Sequence, residues 1–279
     1  MPTDLPYSYP RVLSIAGSDS GGGAGIQADL KTFSALGCFG MTAITALTAQ
    51  NTQGVRSIHG VPPHMLADQI DAVVEDIGVD AVKIGMLHAP EIVRTVASAI
   101  DRHALQRVVF DPVMVATSGA VLIDNEAIEV LVRELFARTI VITPNLDEAG
   151  LLVQRTLHGE ADMEEAASTL LARGANAVLV KGGHLQGEEV SDLLALSSGE
   201  RVWMRDTRIH TPNTHGTGCT LSSAIAAHLA LGQPLVEAVQ SARSYIRGAL
   251  LHGAQVGTGQ GSGPLNHGYA PRPMVLHTR

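Results

Sequence analysis

The sequence predicts an α/β protein: a mostly parallel central sheet with helices on both faces and an antiparallel hairpin at one edge. Two observations carry this. Short apolar runs rich in β-branched residues, at 11–16, 42–47, 81–84, 107–110, 139–142 and 177–180, alternate with helical patterns. Within one of those, 89–103, Ile92, Val96 and Ile100 recur every four residues. After residue 180 the pattern changes, because 190–196 and 201–204 flank the turn-forming Ser197-Ser198-Gly199-Glu200, which reads as the hairpin. Helices at 217–231 and 235–251 follow. No repeat, heptad run or linker interrupts 11–252, so a single domain over 1–279 is expected. Its ends, 1–10 and the glycine- and proline-rich 253–279, are expected to be extended or mobile.

At 279 residues, 45% hydrophobic and 16% charged, the chain has the composition of a globular protein with a large core. Its net charge of -8 and scattered Lys and Arg exclude the electrostatic footprint of a nucleic-acid or anionic-membrane binder. No apolar run reaches the ~20 residues that span a bilayer, so neither nucleic acid nor membrane is expected as a partner. Cys38 and Cys219 are the only cysteines and form no CxxC framework. Free thiols in a reducing compartment, and residues 1–10 without a signal-peptide pattern, imply a cytoplasmic protein.

Thr214-His215-Gly216-Thr217-Gly218-Cys219-Thr220 lies where a loop becomes a helix, with Leu221, Ile225 and Leu229 on one face. A glycine-rich helix entry leaves backbone N–H groups without intrahelical partners and aims the positive end of the helix dipole outward. That makes an anion site. A cysteine there is expected to have its thiolate favoured relative to a free pKa of ~8.5; the alternative is a tight turn over a buried thiol.

In open α/β sheets ligands bind beyond the carboxyl ends of the strands. Polar or glycine-rich clusters follow nearly every strand here, at 17–23, 50–52, 85–86, 111–114, 144–148 and 181–184, and are expected to meet on one rim. The run Gly21-Gly22-Gly23-Ala24-Gly25 formally fits a dinucleotide fingerprint, but no Asp or Glu between Asp29 and Asp68 stands where the ribose acid belongs. No Gly-Lys dipeptide exists, which excludes a Walker-type loop and leaves 216–219 as the phosphate device. The same glycines could let a flat ligand approach the backbone, with Asp19 and Asp29 as polar walls, or Asp29 could be a solvated first-turn residue. Asn145 and Glu148, at i and i+3, could hold Mg²⁺ through its waters or form a capping box. Lys181 could reach a phosphate or lie on the surface. The Gln50 amide offers a donor beside an acceptor, which suits an aminopyrimidine edge. Met86 and Val113 read as apolar walls or plain core. His184, His210 and His215 lie near the rim, and Cys38 reads as packing at a helix end.

Taken together these motifs resemble the hydroxymethylpyrimidine and hydroxymethylpyrimidine-phosphate kinases of thiamine biosynthesis, members of the ribokinase-like superfamily. The resemblance rests on 16–29, 49–52, 83–87, 143–145, 181–184 and 214–219 occurring in order. It implies a ribokinase-like fold, a homodimer, ATP and Mg²⁺ as cofactors, and phosphorylation of an aminopyrimidine alcohol and then of its monophosphate. Position by position it implies that Cys219 is catalytic, with Gly216 and Gly218 in the anion hole. Asn145, Lys181 and Thr217 match positions at the nucleotide, and Glu148 matches the metal position. Gly17, Ala24, Asp29, Gln50, Met86 and Val113 match the pyrimidine pocket, with Asp29 also in the catalytic set. A pyridoxal or pyridoxine kinase is the nearest alternative, followed by a cysteine hydrolase using Cys219 with His215 or His210, and by a non-catalytic pyrimidine sensor.

Overall fold

A computed structural model describes residues 5–114 and 125–278. Its elements are β1 (Tyr7–Ser8), β2 (Arg11–Asp19), α1 (Gly25–Ala35), β3 (Phe39–Asn51), β4 (Gly54–Gly60), α2 (Pro63–Asp76), β5 (Ala81–Ile84), α3 (Pro90–Arg102), β6 (Val108–Phe110) and α4 (Asn125–Leu135). They continue as β7 (Val141–Ile142), α5 (Leu146–Val153), α6 (Glu160–Ala172), β8 (Ala177–Val180), β9 (Glu189–Leu196), β10 (Arg201–Thr207), α7 (Thr217–Ala230), α8 (Leu235–Gly253) and β11 (His277–Thr278).

Nine of the strands form one sheet in the order β10-β9-β8-β7-β6-β5-β2-β3-β4. The interior pairs from β3 to β8 are parallel. The β9–β10 hairpin continues antiparallel from β8, at the edge where the turn residues place it. A second antiparallel pair, β3 with β4, closes the opposite edge and has no counterpart in the sequence pattern. The reason is burial: β4, Gly-Val-Arg-Ser-Ile-His-Gly, has no buried residue, so no apolar alternation marks it.

Strand residues alternate between two cores. Leu13, Val82, Phe110, Ile142 and Val178 pack against α2–α6 on one face. Val12, Ala81, Val109, Val141 and Ala177 pack against α1, α7 and α8 on the other. A strand covered on both sides reads as an unbroken apolar run, which is why β5, β6 and β8 are legible. Ile92, Val96 and Ile100 of α3, and Leu221, Ile225 and Leu229 of α7, are buried as their spacing predicts. No helix among the described residues is long and apolar enough to cross a membrane.

The chain after α8 passes through turns and irregular backbone and is fastened to the domain. Tyr245 Oη donates to the His267 carbonyl at 2.7 Å. The N–H groups of Arg272 and Val275 donate to the carbonyls of Ala35 and Gly37, each at 2.9 Å, and β11 pairs with β1.

Candidate active site

The carboxyl ends of β2, β5, β6, β7 and β8 open onto one cavity of about 580 Å³, in the size range of small-ligand sites. Gly17, Ala24, Gln50, Met86, Val113, Asn145, Glu148, Lys181, Gly216, Thr217, Gly218 and Cys219 all line it. Asp29 does not.

Asp29 is fully buried behind the wall. Its carboxylate accepts from Ser14 Oγ at 2.5 Å, Ser223 Oγ at 2.6 Å and Lys83 Nζ at 3.0 Å. Every direction it could offer a ligand is spent on these partners, so the expectation of direct substrate or proton contact is corrected. Lys83, at the centre of an apolar strand, carries the charge to the cavity instead.

At the other end Lys181 follows β8 and reaches between two acids. Its Nζ lies 2.9 Å from Asp111 Oδ1 and 4.0 Å from Glu148 Oε2. Burial alone would lower the Lys181 pKa, but Asp111 and Glu148 outweigh it and raise it. Burial would raise Asp111; the Lys181 and Lys83 ammonium groups hold its carboxyl below the usual range instead. Burial pushes Glu148 up to about 7 against the pull of Lys181, with Asp111 adding to the rise. Asn145 and Glu148 also form the capping box of α5: Glu148 N–H donates to Asn145 Oδ1 at 2.9 Å and Asn145 N–H to Glu148 Oε2 at 2.8 Å. Capping and proximity to Lys181 are thus properties of the same carboxylate.

Asp111 belongs to a cluster that the sequence places on the rim, but sequence reasoning gave it no role of its own. The available signal was an acid directly after the apolar run Val108-Val109-Phe110, at the position that faces ligands in a parallel sheet.

The donor chemistry fits a hard divalent cation. Two buried carboxylates share one nearby ammonium, and the burial that raises Glu148 is a desolvation cost that a bound cation would offset. Among the described residues no group of three or more His, Cys, Asp or Glu is arranged as a metal cage. A Mg²⁺ held by Asp111 and Glu148 would therefore complete its shell with water and phosphate oxygens, as this ion does.

Because the folded state holds the Glu148 proton above its unfolded range, stability from this group is present at acid pH and falls as pH rises from about 4.5 to about 7. Glu148→Gln is expected to raise the melting temperature at pH 8 and to leave it near wild type at pH 4. Calorimetry at the two pH values checks this.

Gly216 is the N-cap of α7, with a φ of +87°. An added Cβ there would lie 1.9 Å from the Gly23 carbonyl oxygen, so only glycine lets the helix start touch the glycine loop of β2–α1. A Cβ on Gly218 would lie 3.3 Å from Lys181 Nζ and 3.6 Å from Asp111 Oδ2. The helix entry and the charged cluster therefore face the same few ångströms of space.

Cys219 sits on the first turn, partly buried. Its burial pushes the thiol up to about 11, with Lys83 opposing and Asp29 and Asp111 adding. This runs against the expectation of a favoured thiolate: desolvation, with Asp29 and Asp111 adding, outweighs the pull of Lys83. Roughly one molecule in 10⁴ would carry the thiolate at pH 7. The kcat profile is expected to show no ionisation of Cys219 between pH 6 and 9, and iodoacetamide is expected to label it at least tenfold more slowly than a free peptide thiol at pH 7.

His215 is buried and its Nε2 lies 2.9 Å from Asp19 Oδ2. Asp19 Oδ1 accepts from Gly21 N–H at 2.8 Å, and Oδ2 from Gly23 and Ala24 N–H at 3.1 and 2.8 Å. Burial would raise Asp19, but the His215 bond and these N–H groups hold it below the usual carboxylate range. Gln50 stands on β3 with its side chain between Thr48 and His215. His184 and His210 are exposed, beside Asp147 at 2.9 Å and Glu188 at 3.1 Å. Cys38 is buried after α1, with its Sγ 3.8 Å from the Ala227 carbonyl.

The glycine-rich helix start lies opposite a lysine at the carboxyl edge of a parallel sheet, and the fold is shared with solved kinases, which are small-molecule phosphotransferases. It superposes on an ADP complex of Bacillus subtilis pyridoxal kinase with a TM-score of 0.85 and 37% identity, covering 93% of this chain and 98% of that one. The phosphomethylpyrimidine kinase of Clostridium difficile 630 gives a TM-score of 0.75 and 43% identity, covering 86% and 99%. Residues 19–266 match the phosphomethylpyrimidine kinase family, and the chain belongs to it. The hydroxymethylpyrimidine/phosphomethylpyrimidine kinase of Rhizobium meliloti (strain 1021) is 51% identical over 256 residues, 91% of this chain and 96% of its relative.

Proposed function

We propose that this protein transfers the γ-phosphoryl group of ATP to the hydroxymethyl oxygen of 4-amino-5-hydroxymethyl-2-methylpyrimidine, and then a second group to the monophosphate, in thiamine biosynthesis. The observation that carries the reading is the placement of the Gly216–Gly218 helix entry against Lys181 and Asp111, across one cavity from Gln50. In each transfer an O–P bond forms to the acceptor oxygen while the bond to the departing ADP breaks, and the acceptor proton passes to an oxygen of the transferred group or to solvent. The helix N–H groups and Lys181 stabilise charge on the moving group. A neutral Cys219 thiol orients the acceptor hydroxyl rather than taking its proton, because phosphoryl transfer depends mainly on positioning. Mg²⁺, when bound, supplies charge neutralisation on the nucleotide phosphates. Gly17, Ala24, Met86 and Val113 form the walls around the ring, and Gln50 reads its amino edge.

The neutral thiol argues against a cysteine hydrolase. Residues 1–279 work as one domain in this reading. The family resemblance supports a homodimer, and the cysteine usage supports a cytoplasmic location.

Incubation with ATP, Mg²⁺ and hydroxymethylpyrimidine, in parallel with pyridoxal, tests the proposal by mass spectrometry. Sequential mono- and diphosphate from the pyrimidine are expected. Product from pyridoxal alone would replace the substrate while keeping the phosphate site, and phosphorylation of both would mean dual specificity.

A further inference from the structure

The main chain of Gln50 is pinned, because Ser20 Oγ donates to its carbonyl at 2.7 Å and accepts from its N–H at 2.8 Å. What remains open is which end of the side-chain amide faces which neighbour. Gln50 Nε2 lies 3.4 Å from His215 Nε2, and Gln50 Oε1 lies 3.2 Å from Thr48 Oγ1. Proton counting finds both contacts mismatched. Asp19 accepts from three backbone N–H groups and is held ionised, so the hydrogen between it and His215 Nε2 belongs to the histidine. A protonated Nε2 has no lone pair for an amide N–H. Thr48 Oγ1 spends its one hydrogen on the Ser18 carbonyl at 2.8 Å and has none for Oε1. Half a turn of the amide, whose two ends are nearly alike in shape, repairs both contacts at once.

We infer that Asp19, His215 and Thr48 are positioning residues that hold the Gln50 amide with Oε1 toward His215 and Nε2 toward Thr48. His215 Nε2–H is then shared between Asp19 and Gln50 Oε1, and Gln50 Nε2–H donates to Thr48 Oγ1. One lone pair and one N–H of Gln50 remain for the cavity, in a fixed order. That order matches a ring nitrogen beside an exocyclic amine and mismatches a ring whose neighbouring group is a phenolic oxygen. His215, which also lines the cavity, thus determines specificity through Gln50. The inference rests on the proposed aminopyrimidine substrate, and its test separates the two.

The first measurement needs no substrate: NOEs from the Gln50 side-chain N–H protons in the ¹⁵N-labelled wild-type protein. Contacts to the Thr48 methyl are expected, and contacts to the His215 ring in their place would overturn the orientation. The second is a kinetic cycle of His215→Phe, Gln50→Ala and the double variant. His215→Phe is expected to raise KM for the pyrimidine about tenfold, with KM for ATP within twofold of wild type. In the Gln50→Ala background the same change is expected to add less than twofold. Additive effects, or an equal rise in the ATP KM, would show that His215 does not act through Gln50. Should His215→Phe fail to fold, Thr48→Val removes the acceptor at the other end and is expected to raise the pyrimidine KM severalfold, an unchanged KM again counting against the inference. A wild-type enzyme inert toward the pyrimidine would sink the substrate assignment, while the NOEs would still decide the amide orientation.

Discussion

Gly216→Ala is expected to lower kcat by about 10²–10³-fold, the cost of misplacing an oxyanion donor. Two independent strains converge on this position. Its φ of +87° is one that alanine adopts only at a cost, and the new Cβ would lie 1.9 Å from the Gly23 carbonyl oxygen and 3.2 Å from Ala24 Cα. Neither neighbour can yield alone, because the Gly23 and Ala24 N–H groups are bonded to Asp19, which holds His215. Relief must therefore come from the first turn of α7, which carries the Gly218 N–H and Cys219. Displacement of about 1 Å at this point is enough for a hundredfold loss. Steady-state kinetics with ATP and the pyrimidine measure the effect. A kcat within threefold of wild type would mean that the helix entry does not stabilise the transferred group.

The largest stability effect is expected at the pair beneath the cavity. Asp29→Ala leaves the Lys83 ammonium without its directly paired carboxylate at a position with no solvent exposure. Breaking a buried pair from one side costs about 3–5 kcal/mol, whereas replacing both partners with apolar residues of similar volume is often close to neutral. At about 2–4 °C per kcal/mol for a chain of this class, the melting temperature should drop by roughly 10 °C. The double variant Asp29→Leu/Lys83→Met should recover most of that loss but not activity, because Lys83 also faces the cavity and draws Asp111 down. Calorimetry and kinetics on the two variants separate the roles. A double variant no more stable than Asp29→Ala would show that the pair is held by Ser14 and Ser223 rather than by charge.

Much of this architecture was legible in the residues, and the boundary of legibility has a physical cause. β5, β6 and β8 are buried on both faces and therefore read as apolar runs, while β4 is exposed throughout and reads as nothing. The glycine entry to α7 was visible because helix starts obey local rules of dihedral angle and unpaired N–H groups, which need no partner from elsewhere in the chain. Lys181 and Glu148 were visible as residue types at the ends of elements, but their mutual distance was not. The sign of the Cys219 shift could not be read locally: the helix dipole favours the thiolate, and the burial and the acids that reverse it arrive from β6 and α1. Asp29 was misplaced for the same reason, since Ser14, Lys83 and Ser223 close around it from three different elements.

What the sequence by itself determined is the α/β class, the glycine-rich helix start, the set of polar residues at the strand ends and, through the joint order of its motifs, the family. These follow from periodicity, glycine placement and residue chemistry, all short-range along the chain. Only the tertiary structure decided which carboxylate lines the cavity, Asp111 rather than Asp29, and that burial and nearby acids raise the Cys219 thiol. Those outcomes depend on burial and on charges brought together across as many as 196 positions, as in the contact of Asp19 with His215. Desolvation and Coulomb interactions are set by distance in space, and one strand order of the sheet fixes those distances.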